Sequence, residues 1–274
     1  MADYSQFKHL DVALAEGVLT VVLNRPEVRN AFNTRMKREW IELLDLAEDD
    51  PEVKVVTVRG AGTVFSAGGD IKEGAPGYVA EGVSSSLPKH DIPSLPRAWY
   101  FRKALVAGVH GYVGPAACAF LGPFDFVIAA ENTRFSFEII RMGGEGTTST
   151  ILSMQLPMRV MKKLYLMGGW FDEQQALNWD FVQRVVPGDQ LADEIHRWGV
   201  ELTKIVPGQI KAGKETLHRI YELMGLINIA AVSNRSSGHG AETNREFYRV
   251  LLEQGMRAAL KLKDSGFDPA LAKI

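Results

Sequence analysis

Phe65-Ser66-Ala67-Gly68-Gly69-Asp70-Ile71-Lys72-Glu73 and His110-Gly111-Tyr112-Val113-Gly114-Pro115-Ala116-Ala117-Cys118 decide how this chain is read. Each follows an apolar run short enough to be a buried strand, Lys54–Val58 and Leu105–Val109, and each leads toward a segment that can begin a helix. A strand-to-helix turn leaves backbone N–H groups free at its tip. Two such turns facing one another can hold a single oxygen anion between them. The chemistry this pairing suggests is stabilisation of an enolate or a tetrahedral oxyanion formed from a thioester carbonyl.

Outward from these turns, the first half of the chain alternates strand and helix. His9–Ala15 and Val18–Asn24 predict a hairpin about Glu16-Gly17, and Asn33 is placed to cap a helix running to about Glu48. Strands are expected at Lys54–Arg59, Leu105–His110 and Asp125–Ala130, with a helix near Ala116. This alternation predicts an α/β fold with much parallel pairing. Between Gly74 and Pro96, Gly, Pro and the triplet Ser84-Ser85-Ser86 predict a long loop or lid. Beyond Leu191 the chain reads as helical, over Leu191–Ile205, Gln209–Leu223 and Glu242–Lys263. The expected division is a core over residues 1–195 and a helical oligomerisation or capping section over 196–274.

Composition narrows the function classes. The 274 residues can bury a substantial core, and 46% hydrophobic with 23% charged residues is ordinary for a globular protein. A net charge of −2 supplies no basic surface for nucleic acid. One cysteine, Cys118, excludes an internal disulfide and suits a reducing compartment. No apolar run approaches the ~18 residues of a membrane span, and the first residues lack a cationic segment followed by an apolar one. The expectation is a cytoplasmic chain without nucleic-acid or membrane partners. His9, His196, His218 and His239 show no ligand spacing, so no metal is expected.

Five pieces in order resemble one family: Leu23-Asn24-Arg25-Pro26-Glu27 with Asn30-Ala31, Phe65–Lys72, Val109-His110-Gly111-Tyr112, Asp125–Phe135, and Phe181–Pro187. Over residues 8–188 the chain resembles the enoyl-CoA hydratase/isomerase (crotonase) superfamily. The resemblance implies a spiral of ββα turns with a C-terminal helical section that assembles trimers or hexamers. It also implies an acyl-CoA substrate, with coenzyme A entering as part of that substrate and no permanently bound cofactor. On this resemblance the oxyanion donors are the N–H groups of Ala67 and Ala116. Gly69, Asp70 and Ile71 line the adenine end, and Lys263 in the tail reaches a neighbouring subunit's ligand. Arg29 and Ala31 complete the coenzyme A set, Arg29 as a cation for the phosphates.

The family's glutamate pair departs from its usual places. Matched without gaps, the first falls on Ala119 and the second on Ile139, with Glu138 one residue away. Where the family usually has three glycines, the middle one at the second donor position, this chain has Pro115-Ala116-Ala117, with Ala116 in the middle. Proline has no N–H to donate, and Ala116 retains its own. Candidates for proton transfer are therefore Glu138, if desolvation raises its pKa, Glu145 in Gly143–Thr148, and His90 beside Asp91 in the predicted lid. His110 is expected to make a turn hydrogen bond and Tyr112 to pack as an aromatic. Cys118 is a nucleophile only if its helix lowers its pKa. The expected reaction is hydration, dehydration or double-bond isomerisation of an acyl-CoA. Rival readings are hydrolytic C–C cleavage of a β-oxo compound and an acyl-CoA-binding or assembly subunit without turnover. A serine hydrolase is disfavoured by the lack of a Gly-x-Ser-x-Gly elbow.

Overall fold

A computed structural model of the chain describes residues 2–81, 94–142, 151–226 and 241–274. Strands β1 (Leu10–Ala15) and β2 (Val18–Leu23) form the predicted antiparallel hairpin, with Leu10 opposite Leu23. They continue into a six-stranded sheet with β3 (Val55–Gly60), β4 (Ala104–Val109), β6 (Phe126–Ala130) and β9 (Arg184–Val186), all added in parallel. A second sheet joins β5 (Tyr112–Val113) in parallel to β7 (Arg134–Ser136), and β7 antiparallel to β8 (Trp170–Asp172).

The period of two along the central strands divides the core. Val56, Val58, Leu105, Ala107, Val109, Val127 and Ala129 face one way, into the larger cluster with α1 (Thr34–Asp49) and α4 (Pro115–Leu121). Val55, Ala104, Val106, Ile128 and Ala130 face the other way, beneath Leu191 and Ile195 of α8 (Leu191–Thr203). Because α8 lies on the sheet, residue 195, where core and helical section were expected to meet, falls inside a packed helix. Asn33 caps α1 as predicted, its side chain accepting from the Met36 N–H at 2.8 Å.

Two expectations are corrected. The segment expected to be an irregular loop from Gly74 begins within a helix, α2 (Ile71–Glu81), and reaches α3 (Ser94–Trp99); residues 82–93 lie outside those described. Gly74, Pro76 and Gly77 are poor helix formers. Their helix is held by packing: Ala75 and Tyr78 join Phe247, Tyr248 and Leu251 in a separate apolar cluster, with the Tyr78 and Tyr248 rings stacked at 4.3 Å. The single helix expected over Glu242–Lys263 is two, α10 (Ala241–Gln254) and α11 (Met256–Asp264), broken at Gly255 with φ 86°. Between α8 and this hairpin runs α9 (Pro207–Leu223), pinned to the sheet by Lys214, whose buried ammonium meets Asp125 at 2.6 Å. Among the described residues no helix is long and apolar enough to cross a membrane.

Candidate active site

The two turns quoted first do face one another. Ser66 bridges Val113, the Gly114 N–H donates to the Ser66 carbonyl at 2.9 Å, and the Phe65 N–H donates to the His110 carbonyl at 2.8 Å. Gly68, at φ 98°, passes so close to α4 that a Cβ built on it would lie 3.3 Å from the Ala116 nitrogen.

The first turn is braced from behind by the Arg25–Ala31 segment. Asn30 is fully buried, in the left-handed region at φ 53°. Its amide donates to the carbonyls of Ala61, Val64 and Phe65 at 2.7, 3.0 and 3.1 Å. Its side-chain oxygen accepts the Arg25 N–H at 2.9 Å, and its carbonyl accepts the Ser66 hydroxyl at 2.7 Å. The Arg25 guanidinium reaches the Ala31 carbonyl at 2.5 Å and Asp70 at 3.1 Å. Asp70 and Ala31 are thus held in the brace rather than free to meet a ligand through the groups that bind Arg25.

This brace changes the donor assignment. The Ala67 N–H, expected to be the first oxyanion donor, is committed to the Arg29 carbonyl at 2.8 Å, and the Gly68 N–H to the Ser66 hydroxyl at 3.1 Å. Among the described residues the Gly69 N–H has no acceptor, and a Cβ built on Gly69 would meet nothing within 4 Å. The Ala116 N–H likewise has no acceptor. It lies at the second helical position, where no carbonyl of its own helix can reach it. The pair of free donors on neighbouring turns is therefore Gly69 and Ala116. Ile71, the next residue but one, opens α2 and packs against the Phe247 cluster.

Glu138 is close to the second turn through the pairing of Tyr112 with Arg134 in β5 and β7. Its carboxylate meets Lys263 at 3.0 Å, Ser136 Oγ at 3.2 Å and Arg134 at 3.2 Å. Burial alone would raise its pKa, the effect expected from the sequence. The Lys263 and Arg134 charges and the hydrogen bonds from Lys263 and Ser136 outweigh that burial and hold the carboxyl below its ordinary range. Glu138 is consequently an ionised carboxylate at neutral pH. Lys263, expected to reach a neighbouring subunit's ligand, has its ammonium buried and paired with Glu138 of its own chain. Burial pushes the Tyr112 hydroxyl up, while its hydrogen bond with Ser136 acts in the opposite direction. Arg29 is exposed, its guanidinium 5.1 Å above the Tyr112 ring.

Ala119 is buried and offers only a methyl group. Cys118 is buried with its thiol directed toward the Val113 and Ser136 carbonyls, and burial pushes its pKa up, the reverse of an activated nucleophile. His110 makes a hydrogen bond at 3.1 Å with the Gly62 carbonyl, which lies in the turn after β3 and not in the turn that His110 opens. His90 and Glu145 lie outside the described residues. The sequence missed Gly69 as a donor and the Ser136–Glu138–Lys263 cluster. A bond between residues 138 and 263 leaves no mark in local spacing.

Comparison with known proteins agrees with this architecture. Residues 13–250 match the family described as enoyl-CoA hydratase/isomerase. A 2,3-dehydroadipyl-CoA hydratase of Escherichia coli (strain K12) is 29% identical over 217 residues, 78% of this chain and 83% of that protein. A carnitinyl-CoA dehydratase of Citrobacter koseri is 27% identical over 209 residues, 75% of this chain and 78% of the relative. The crystal structure of an enoyl-CoA hydratase/isomerase from Xanthobacter autotrophicus Py2 superposes with a TM-score of 0.84 at 27% identity, covering 96% of this chain and all of the other. The α/β spiral with C-terminal helices expected from the sequence is the fold the two share.

Proposed function

Since the chain belongs to the enoyl-CoA hydratase/isomerase family, we propose that it is an acyl-CoA hydratase or dehydratase working through a thioester enolate. The observation that carries this reading is the pair of N–H groups on adjoining turns, Gly69 and Ala116, that have no acceptor among the described residues. Such donors are fixed before the substrate arrives, and they bind the thioester oxygen more tightly as it gains negative charge. The relatives that are hydratases and dehydratases support the reaction type.

Ala119 cannot move a proton, and we assign both half-steps to one carboxylate. Glu138, already ionised, takes a proton from water as the water oxygen bonds to the β-carbon. The Cα=Cβ electron pair shifts to join Cα to the thioester carbonyl carbon, and the carbonyl π pair moves onto the thioester oxygen, whose negative charge Gly69 and Ala116 hold. Protonated Glu138 then returns the proton to the α-carbon, and the enolate collapses to the hydrated thioester. Dehydration is the same path reversed. Arg29, exposed above Tyr112, is the cation we assign to the coenzyme A phosphates. Self-association is part of the same proposal, supported by exposed Leu217, Ile220 and Leu223 on α9.

The test is incubation with a panel of 2-enoyl-CoA thioesters in deuterated water, read by mass spectrometry. Water addition with deuterium at the α-carbon is expected. E138Q should slow water addition by roughly 10²–10⁴-fold, the usual contribution of an acid–base group. If E145Q abolishes addition and E138Q does not, the base is Glu145 instead. Tight binding with neither exchange nor turnover across the panel rules out the enolate reading and leaves a binding or assembly subunit.

A further inference from the structure

We propose that Lys263 is a positioning residue for the reaction: carried in by the C-terminal helical hairpin, its ammonium fixes the Glu138 carboxylate beside Tyr112 and the Ala116 turn. The proposal rests on the acyl-CoA reading above and adds a residue to it from the far end of the chain. The Nζ–Oε2 distance is 3.0 Å, with 8% of the Lys263 side chain and 12% of the Glu138 side chain exposed. An exposed pair of this kind would contribute little. A pair this secluded is different, because removing one partner leaves the other charge buried without its counter-ion.

The hairpin that delivers Lys263 is itself anchored at both edges of the candidate site. Through Phe247, Tyr248 and Leu251 it clusters with Ala75 and Tyr78 of α2, the helix that follows directly from Gly69-Asp70. Through α11 it packs on the 3₁₀ turn Glu138–Met142. One rigid element therefore sets the position of the segment after the first oxyanion donor and of the proposed base. Lys263 is the side chain that converts that docking into a contact with the reacting carboxylate.

Among the described residues the other charged groups around Glu138 do not replace it. Arg134 meets the opposite carboxylate oxygen, Oε1, and its side chain is 41% exposed. Ser136 donates from the strand below, and Tyr112 adjoins from β5. On the hairpin, Asp264 lies 3.2 Å from Lys263 and 3.9 Å from Arg141, partly offsetting the Lys263 charge. Arg141 donates to the Met167 carbonyl at 3.0 Å, and its guanidinium lies over the Phe267 ring at 4.6 Å. From α10, Glu246, Arg245 and Arg249 line the open groove of about 770 Å³ that Lys263 borders, with Arg249 paired to Glu246. Lys263 is thus the buried cation on the Oε2 side of the carboxylate.

The sign of the expected pH effect follows from the charge. The base must be ionised, and Lys263 favours the ionised form. Removing it raises the Glu138 pKa, so the acid limb of activity moves to higher pH. In K263M of the full chain, kcat on a short 2-enoyl-CoA should fall roughly 10²-fold, as expected for a displaced reacting group. K263R should restore most of kcat and return the limb toward its original position. The KM ratio between a CoA thioester and the matching pantetheine thioester should not change. Carbon-13 titration of the Glu138 carboxyl, assigned with E138Q, should show the same upward shift in K263M without any turnover. A KM rise confined to the CoA thioester with kcat unchanged would make Lys263 a phosphate ligand and overturn the proposal. So would an unmoved carboxyl titration in folded K263M. Absence of α-exchange by the wild-type protein with every thioester defeats the enolate reading instead, and the carboxyl titration then reports on the Lys263 contact by itself.

Discussion

Gly114→Ala will cost at least about 10²-fold in kcat, the scale of losing one oxyanion donor, while leaving the two sheets intact. A Cβ at residue 114 would lie 2.0 Å from the Ala67 carbonyl oxygen, 2.4 Å from its carbon and 3.0 Å from the Gly68 nitrogen. All three are backbone atoms, so no side chain can swing aside. The turns must separate by more than about 1 Å to reach ordinary contact distances. Residue 114 itself has φ −73° and ψ 171°, a conformation any residue adopts. The effect is therefore steric and falls on the gap between the turns. Separation pulls Gly69 away from Ala116 and lengthens the Gly114 N–H bond to Ser66. Loss of stability should be about 1–3 kcal/mol, as for other overpacked sites. Turnover and α-exchange measured on G114A, with a thermal melt alongside, check this. Activity within tenfold of wild type in a folded variant would mean that the close approach of the turns does not serve catalysis.

The contrast between what the chain disclosed and what it concealed follows range of interaction. The β1–β2 hairpin, the Asn33 cap and the buried strands β3, β4 and β6 are set by residues within a few positions of one another, so period and capping chemistry expose them. The close approach of Ser66–Gly68 to Gly114–Ala116 was legible from two similar turns after two similar strands. Which N–H remained free was not. That depends on the Arg29 carbonyl returning to Ala67, a contact made across a bend in which Arg29 and Asn30 both take positive φ. The Pro76 helix defeated propensity because its stability comes from Phe247 and Tyr248, residues at the other end of the chain. Glu138 was chosen for its position, and its expected high pKa failed for the same reason: the cation that lowers it arrives 125 residues later. Gly255, by contrast, carried a readable signal, since a glycine between two helical patterns is a common helix end.

Asn30→Ala tests the brace behind the first turn, and its expected effect on stability is the largest of any single substitution discussed. The Asn30 side chain is buried with 0% exposure and engages three carbonyls and one N–H, from Ala61, Val64, Phe65 and Arg25. Truncation leaves these groups without that partner beneath the surface, at about 1–3 kcal/mol for each group left unsatisfied. The left-handed φ of 53° adds about 1 kcal/mol against alanine, which tolerates it less well than asparagine. Partial relaxation offsets some of this, so a loss of about 3–5 kcal/mol is expected from urea unfolding, at the upper end of single-residue effects. Asn30→Gly separates the two contributions. It relieves the backbone strain and deletes the same hydrogen bonds, so it should recover only about 1 kcal/mol. If N30A loses less than that, the hydrogen bonds are not what holds the turn. Catalysis should fail alongside stability, even below the melting range of the variant. The Ala67 N–H is held by Arg29 and the Ser66 hydroxyl by Asn30. Once that support loosens, Ala67 is free to compete with Gly69 for the thioester oxygen, and the two-donor geometry is lost before the fold is.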